Sequence, residues 1–258
     1  MITFTIATCT YNAAQVIDRT LQSVLRQTYP YVQHLIVDGA STDQTLQKID
    51  LYRQESAEKE TMHDIELLTE KDNGLFDAMN KALQLATGTY IVFLNAGDAL
   101  PSPDTLESIA NSVGDGERLP GVLYGETNIV DSEGRFLRRR RLSAPQQLSA
   151  NSFLHGMVVC HQAFYALTSI AKDTPYDLRY RYSADVDWCI RIMKASEQEQ
   201  RTMKNVELVV ADYLEGGMSV QNHRASLMER FHIMRRHYGL FRTVGMHLWF
   251  VVRAVIRK

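Results

Sequence analysis

The 258-residue chain has little of what marks most specialised classes. Its three cysteines, Cys9, Cys160 and Cys189, are odd in number and lack metal-ligand spacing, which speaks against a disulfide framework or a zinc site. They read as reduced, packed thiols, and the expected setting is cytoplasmic. There is no excess of one charge: the formal net charge is -2. No global basic field is present to attract nucleic acid. No apolar run approaches the ~20 residues that span a bilayer. Met1 leads straight into a strand-like run, with no charged-then-apolar leader. Internal repeats and low-complexity segments are absent. No Gly-rich loop follows the first strand, where T-C-T-Y-N stands, and the G-x-G at Gly114 to Gly116 follows no strand. That argues against a dinucleotide oxidoreductase or a nucleotidyltransferase.

What is present is ordinary for a globular protein: 45% hydrophobic and 22% charged residues. The length allows one large domain, or one domain with an appendage. Strand and helix signals alternate over the first hundred residues. Ile2 to Thr8 reads as a buried strand. Asn12 is placed to cap a helix with apolar positions at Val16, Ile17, Leu21, Val24 and Leu25. His34 to Val37 is a second strand, and Ser41 or Thr42 is placed to cap the next helix. Ile65 to Leu68 is a third strand. Leu75 to Ala86 is a third helix, with Gly88 as its expected C-terminal cap. Tyr90 to Leu94 is a fourth strand. This alternation predicts βαβ units and a parallel sheet. Right-handed crossovers then place every strand's C-terminal end on one edge, where ligands bind in open α/β sheets. Thr8 to Asn12, Asp38 to Thr42, Glu70 to Gly74 and Asn95 to Asp98 would converge there.

Leu119 to Arg141 predicts antiparallel strands with a turn at Asp131 to Gly134. Arg138 to Arg141 is a run of four arginines, either a solvated edge or a contact for a phosphate-bearing ligand. A helix is expected over Ala184 to Ala195. The tail from Arg224 is helical, and its end is apolar with spaced cations.

The motifs T-C-T-Y-N-A-A, V-D-G-A-S-T-D-Q-T, E-K-D-N-G-L-F-D-A-M-N-K-A-L, A-T-G-T-Y-I-V-F-L-N-A-G-D and A-D-V-D-W-C-I-R resemble those of family 2 glycosyltransferases, inverting enzymes of the GT-A fold. The resemblance implies an α/β fold with a Rossmann-like, mostly parallel sheet. It divides the chain into a catalytic domain, 1–220, with a nucleotide-sugar half (1–100) and an acceptor half (101–220), and a helical extension, 221–258. It implies a metal-dependent transfer from a nucleoside-diphosphate sugar, a UDP-sugar foremost, to a glycan or lipid-linked hydroxyl, in cell-surface polysaccharide synthesis. The transferred unit would be a hexosyl or N-acetylhexosaminyl group. By the same resemblance Thr8, Tyr11 and Asn12 line the nucleotide pocket. Asp38 bonds the base with Ser41 beside it, and Lys71 and Asp72 contact base and ribose. Asn95 to Asp98 replaces an acidic motif whose last carboxylate, Asp98, would hold Mg²⁺ or Mn²⁺. Asp185 matches the catalytic base, and Arg191 the arginine that follows it.

Two departures stand out. Asn95 and Gly97 occupy positions where many relatives carry carboxylates. Ala184 replaces a glutamate, so Asp185 and Asp187 compete as base; two apart on a helix, they do not share a face. A pocket-keeping relative without turnover is the rival reading.

The chemistry asks for these residue types. The leaving diphosphate gains charge that a cation with hard oxygen ligands meets. The acceptor hydroxyl needs a carboxylate to take its proton. A single base suits direct displacement with inversion, whereas retention needs a second, closely set carboxylate.

Each residue also has a plainer reading. Asp38 and Asp43 are candidate helix caps, and Asp72-Asn73-Gly74 a turn. Asp187 reads best as a packing residue. His155 and His161 are structural histidines or line the acceptor site. Gly216-Gly217, ahead of Met218 and Ser219, is a lid or a loop. The C-terminal helix, with Leu240, Phe241, Val244, Leu248, Trp249, Val252 and Ile256 beside Arg242, Arg253, Arg257 and Lys258, packs on the domain or on a homodimer partner. Alternatively it lies peripherally in a membrane interface.

Overall fold

The computed structural model describes residues 1–114, 118–216 and 222–256. Of the lid candidate Gly216-Gly217, Met218 and Ser219, all but Gly216 lie outside these residues, as do Asp115 and Gly116 of the G-x-G. Strands β1 (Phe4–Thr10), β2 (Val32–Asp38), β3 (Asp64–Thr69) and β4 (Tyr90–Phe93) alternate with helices α1 (Ile17–Leu25), α2 (Thr45–Glu58) and α3 (Leu75–Leu85). After α4 (Thr105–Val113) come β5 (Val122–Val130), β6 (Phe136–Arg139), β7 (Phe164–Leu167), α5 (Thr168–Lys172), α6 (Ala184–Gln198) and β8 (Met203–Leu214). Two helices end the chain, α7 (His223–Tyr238) and α8 (Leu240–Ile256). They are separated at Gly239, whose φ of 83° ends α7.

One sheet runs β3–β2–β1–β4–β7–β5–β6, with β8 paired to β5. β3, β2, β1 and β4 are mutually parallel, as the alternation predicts. β7 enters antiparallel between β4 and β5. The predicted hairpin forms as β5 and β6. β1 and β2 are buried along their whole lengths, because helices cover both sheet faces. On one face Ile17, Leu21, Ile36, Ile49 and Tyr52 lock α1 and α2 to β2. On the other, α3 and α6 pack over a core that includes Phe93, Phe164 and Trp188. Trp188 stacks on Tyr176 at 4.8 Å, directly behind the first turn of α6.

The expected caps are corrected. Asn12, Ser41 and Gly88 cap no helix. Asn12 has φ 48° and its Oδ1 accepts the Thr42 N–H at 2.8 Å, while its own N–H donates to Ser41 Oγ at 2.8 Å. These bonds staple the β1 and β2 loops together instead. α3 ends at Leu85, before Gly88.

Candidate active site

A cleft of about 420 Å³ opens at the C-terminal ends of β1 and β4. It is lined by Cys9, Thr10 and Tyr11, Asn95, Ala96 and Asp98, His161 and Gln162, Tyr182 and Asp185, and Tyr213 to Gly216. Phe76 and Leu75 form a wall shared with a second cleft of about 420 Å³, bounded by Asp77, Tyr180 and Arg181.

The floor is the turn after β4. Asp98 N–H donates to Asn95 O at 2.9 Å, and Gly97 between them has φ 97°. That is the arrangement of a type II turn, which favours glycine at this position. A Cβ on Gly97 would come within 2.6 Å of Leu214. Thr20 of α1 fastens the turn: its Oγ1 accepts from Gly97 N–H at 2.9 Å and donates to Asp98 O at 2.7 Å. A side chain at residue 97 would therefore be strained by the backbone and would have to displace Leu214.

Asp98 reaches the cleft but is 4% exposed. Its Oδ1 accepts from Leu214 N–H at 2.9 Å, and its Oδ2 from Gln162 Nε2 at 2.8 Å. Burial raises its pKa to about 6, against the opposing pull of these two hydrogen bonds. Asn95 beside it donates from Nδ2 to His161 Nε2 at 3.0 Å, leaving its buried Oδ1 without a partner. An amide nitrogen only donates, so His161 Nε2 carries the lone pair and Nδ1 the proton. That proton faces Asp185 Oδ2 at 3.3 Å.

Asp185 sits in the first turn of α6, where the helix dipole favours a carboxylate. Burial pushes its pKa up. The His161 hydrogen bond, with the nearby Arg230, outweighs that and holds it below the usual carboxylate range. Its Oδ1 is buried and has no hydrogen-bond partner. The helix start is held from α7: Glu229 accepts the N–H groups of Arg181, Tyr182 and Ser183 at 2.8, 2.8 and 2.9 Å. Charge-assisted bonds of this kind are the strong ones.

Of the two candidate bases, only Asp185 faces the cleft. Asp187 is fully buried, bonded by Arg191 Nε at 2.6 Å and His237 Nε2 at 2.7 Å. Arg191 is corrected with it: its second contact is Pro175 O at 2.8 Å, and it does not line the cleft. Asp187 thus anchors α7 to α6, the packing role that was its plainer reading.

The nucleotide half divides likewise. Tyr11 is 63% exposed over the cleft. Thr8 is corrected: it is fully buried, with its hydroxyl on Leu94 O at 2.9 Å and His34 Nε2 at 3.1 Å. Asp38 is also fully buried, and Ser41 N–H and Oγ donate to its two oxygens. It shapes its own loop, with Ser41 linked on to Asn12. Asp72 Oδ1 accepts from Gly74 N–H at 2.8 Å, forming the turn, while Oδ2 lies over Gly39, where a Cβ would approach it to 2.5 Å. Gly39 is thus required by the close approach of Asp72 and Tyr11. Lys71 is exposed, and its carbonyl accepts from Lys81 Nζ at 3.0 Å. His155 lies at the end of a short 3₁₀ turn and does not line the cleft. In the arginine run, Arg138 pairs with Glu215 at 2.8 Å and Arg140 bonds Met157 O at 3.0 Å.

Reading the residues in order missed Gln162, Tyr182, the segment Tyr213 to Glu215 and Glu229. Only Gln162 carried a signal, by adjoining His161. Tyr182 lies just before α6, and the others enter through β8 and α7, whose packing no local pattern announces.

An open α/β sheet with a strand-end cleft and an ionised carboxylate at a helix start has the layout of GT-A transferases. The chain belongs to glycosyl transferase family 2, whose model matches residues 5–169. It is 34% identical over 218 residues to a Mycobacterium bovis PGL/p-HBAD biosynthesis glycosyltransferase, covering 84% of this chain and 78% of that one. Among solved structures it resembles S. aureus TarS in complex with UDP-GlcNAc, with a TM-score of 0.70 and 18% identity, over 92% of this chain and 65% of that one. It also resembles a Pyrobaculum calidifontis mannosyltransferase in complex with GDP-Man and Mn²⁺, with a TM-score of 0.68 and 19% identity, over 96% of this chain and 70% of that one.

A cation of the kind in the latter complex meets a sparse donor set here. Among the described residues no group of three or more His, Cys, Asp and Glu side chains is placed to hold a metal. What remains is Asn95 Oδ1, buried and unpartnered, and Asp98, whose oxygens each keep a second lone pair. These donors fit a cation that shares its shell with a ligand's own oxygens, as Mg²⁺ commonly does, rather than one caged by protein.

Proposed function

We propose that this glycosyltransferase moves a sugar from a nucleoside-diphosphate donor, a UDP-sugar foremost, to a hydroxyl of a glycan or lipid-linked acceptor of the cell envelope, with inversion. The observation that carries this reading is Asp185 itself, a cleft-lining carboxylate in the first turn of α6 whose pKa the neighbouring His161 holds down.

The acceptor hydroxyl donates its proton to the Asp185 carboxylate. Its oxygen attacks the anomeric carbon as the bond from that carbon to the diphosphate oxygen breaks, and the diphosphate leaves with the electron pair. His161, donating through Nδ1, keeps the carboxylate ionised and aimed. Of the other carboxylates lining the cleft, Asp98 is engaged by Leu214 and Gln162 and Glu215 is paired with Arg138, which supports inversion over retention. The exposed Tyr11 ring, beside Gly39 and Asp72, offers a stacking surface for the nucleobase. The neighbouring cleft across Phe76 offers the acceptor a route to Asp185. When bound through Asn95, Asp98 and phosphate oxygens, Mn²⁺ or Mg²⁺ would neutralise charge on the departing diphosphate.

The test is Asp185→Asn assayed against a panel of nucleotide sugars. Turnover should fall by roughly 10²–10⁴-fold, with nucleotide affinity unchanged. A variant that keeps wild-type kcat removes Asp185 from the role of base. Wild-type protein that binds donors but turns none over makes the chain a binding module.

A further inference from the structure

The outer face of the last helix has no part in this chemistry. α8 packs inward through Thr243, Met246, His247 and Phe250, and the His247 ring meets Phe231 of α7 at 5.1 Å. On the other side Phe241 is 92% exposed, Leu248 64%, Trp249 51% and Val252 46%. With 3.6 residues per turn these positions fall on one arc, and the exposed Arg242 borders it next to Trp249. Among the described residues no helix is long and apolar enough to cross a membrane.

The charge is equally one-sided. Beyond Glu229 the chain holds seven of its 28 basic residues and none of its 30 acidic ones, on a chain of net charge -2. An apolar arc within so basic a segment suits a surface that is both oily and anionic. A second copy of the chain would set like charges against each other.

We propose that α8 seats this protein on an anionic phospholipid surface, with its apolar arc at the boundary of headgroups and acyl chains and its arginines on lipid phosphates. The seat connects to the cleft. α8 packs on α7, and Glu229 of α7 holds the N–H groups just before Asp185. Docking therefore sets the catalytic helix at a defined orientation to the lipid.

The experiment uses the full chain with vesicles of phosphatidylcholine, with or without about one-third phosphatidylglycerol. Trp188 is fully buried, so a blue shift of emission on binding reports Trp249. Anionic vesicles should sediment the chain at least about tenfold better than neutral ones, with that blue shift. Leu248→Asp and Arg242→Glu should each weaken sedimentation about tenfold without changing circular dichroism. Failure to sediment with anionic vesicles, with Trp249 emission unmoved, overturns the proposal. So does light scattering that finds a dimer broken by Leu248→Asp in a chain indifferent to lipid.

Discussion

His161 stands between Asn95 and Asp185, with Nε2 3.0 Å from the Asn95 amide nitrogen and Nδ1 3.3 Å from the Asp185 carboxylate. The amide fixes the tautomer, and the tautomer aims a proton at the proposed base. His161→Gln should therefore move the acid limb of the kcat/KM profile upward in pH, because the carboxylate loses the hydrogen bond that holds its pKa down. A limb that stays in place, with only KM altered, would show that His161 merely contacts a substrate.

Glu229 accepts three backbone N–H groups just before α6. Glu229→Ala leaves those donors without partners and should cost about 3 kcal/mol of stability, read as a lowered midpoint in urea. Glu229→Gln keeps an acceptor and should recover part of both stability and kcat. Equal losses in the two variants would mean that the bonds to 181–183 contribute little.

The sparse cation donors imply an order of binding. Calorimetry should show no heat for Mn²⁺ alone, and clear binding of Mn²⁺ once UDP is present. Asn95→Ala should weaken that ternary binding. Gly97→Asp should lower stability rather than build a metal site, because the backbone at φ 97° and the nearby Leu214 side chain exclude a Cβ. Strong Mn²⁺ binding without nucleotide would contradict the donor set described here.

Acid should unfold the protein partly through His34. The ring is fully buried between Tyr52 Oη at 2.6 Å and Thr8 Oγ1 at 3.1 Å. Burial lowers its pKa from 6.5 to about 3, with the nearby His63 adding to the shift. Between those values the unfolded chain takes up a proton that the native chain refuses. Stability therefore falls as pH drops below 6.5, with a slope that approaches about 1.4 kcal/mol per unit. His34→Gln should flatten the dependence of the urea midpoint between neutral and mildly acid pH. An unchanged slope would place the acid sensitivity elsewhere.

Much of the sheet was legible in the chain. Four apolar runs separated by helical periodicities predicted β1 to β4 and their parallel order, because burial on both faces demands continuous apolar strands. The hairpin of β5 and β6 was marked by its turn residues. β7 and β8 were not. Phe164–Leu167 is only four residues long, and β8 pairs with a strand some eighty positions earlier, so neither leaves a strong local period. The cap positions went astray for a related reason. Asn12 and Ser41 have capping side chains, but each found a partner across a loop rather than along its own helix.

The sequence alone determined which groups meet at one edge: strand-end acids, an amide in place of a carboxylate, and a helix opening with Asp185. Strand polarity and crossover handedness follow from local patterning. Only the tertiary structure decided which of these groups are available. Asp185 and Asp187 are two residues apart on one helix, and nothing local separates them. One lines the cleft beside His161, while the other is buried against Arg191 of its own helix and His237 of α7. Thr8, Asp38 and Asp98 likewise sit where the motifs place them, yet bond to the protein itself. Position along a strand is set by nearest neighbours. The aim of a side chain is set by whatever long-range packing brings within hydrogen-bond reach.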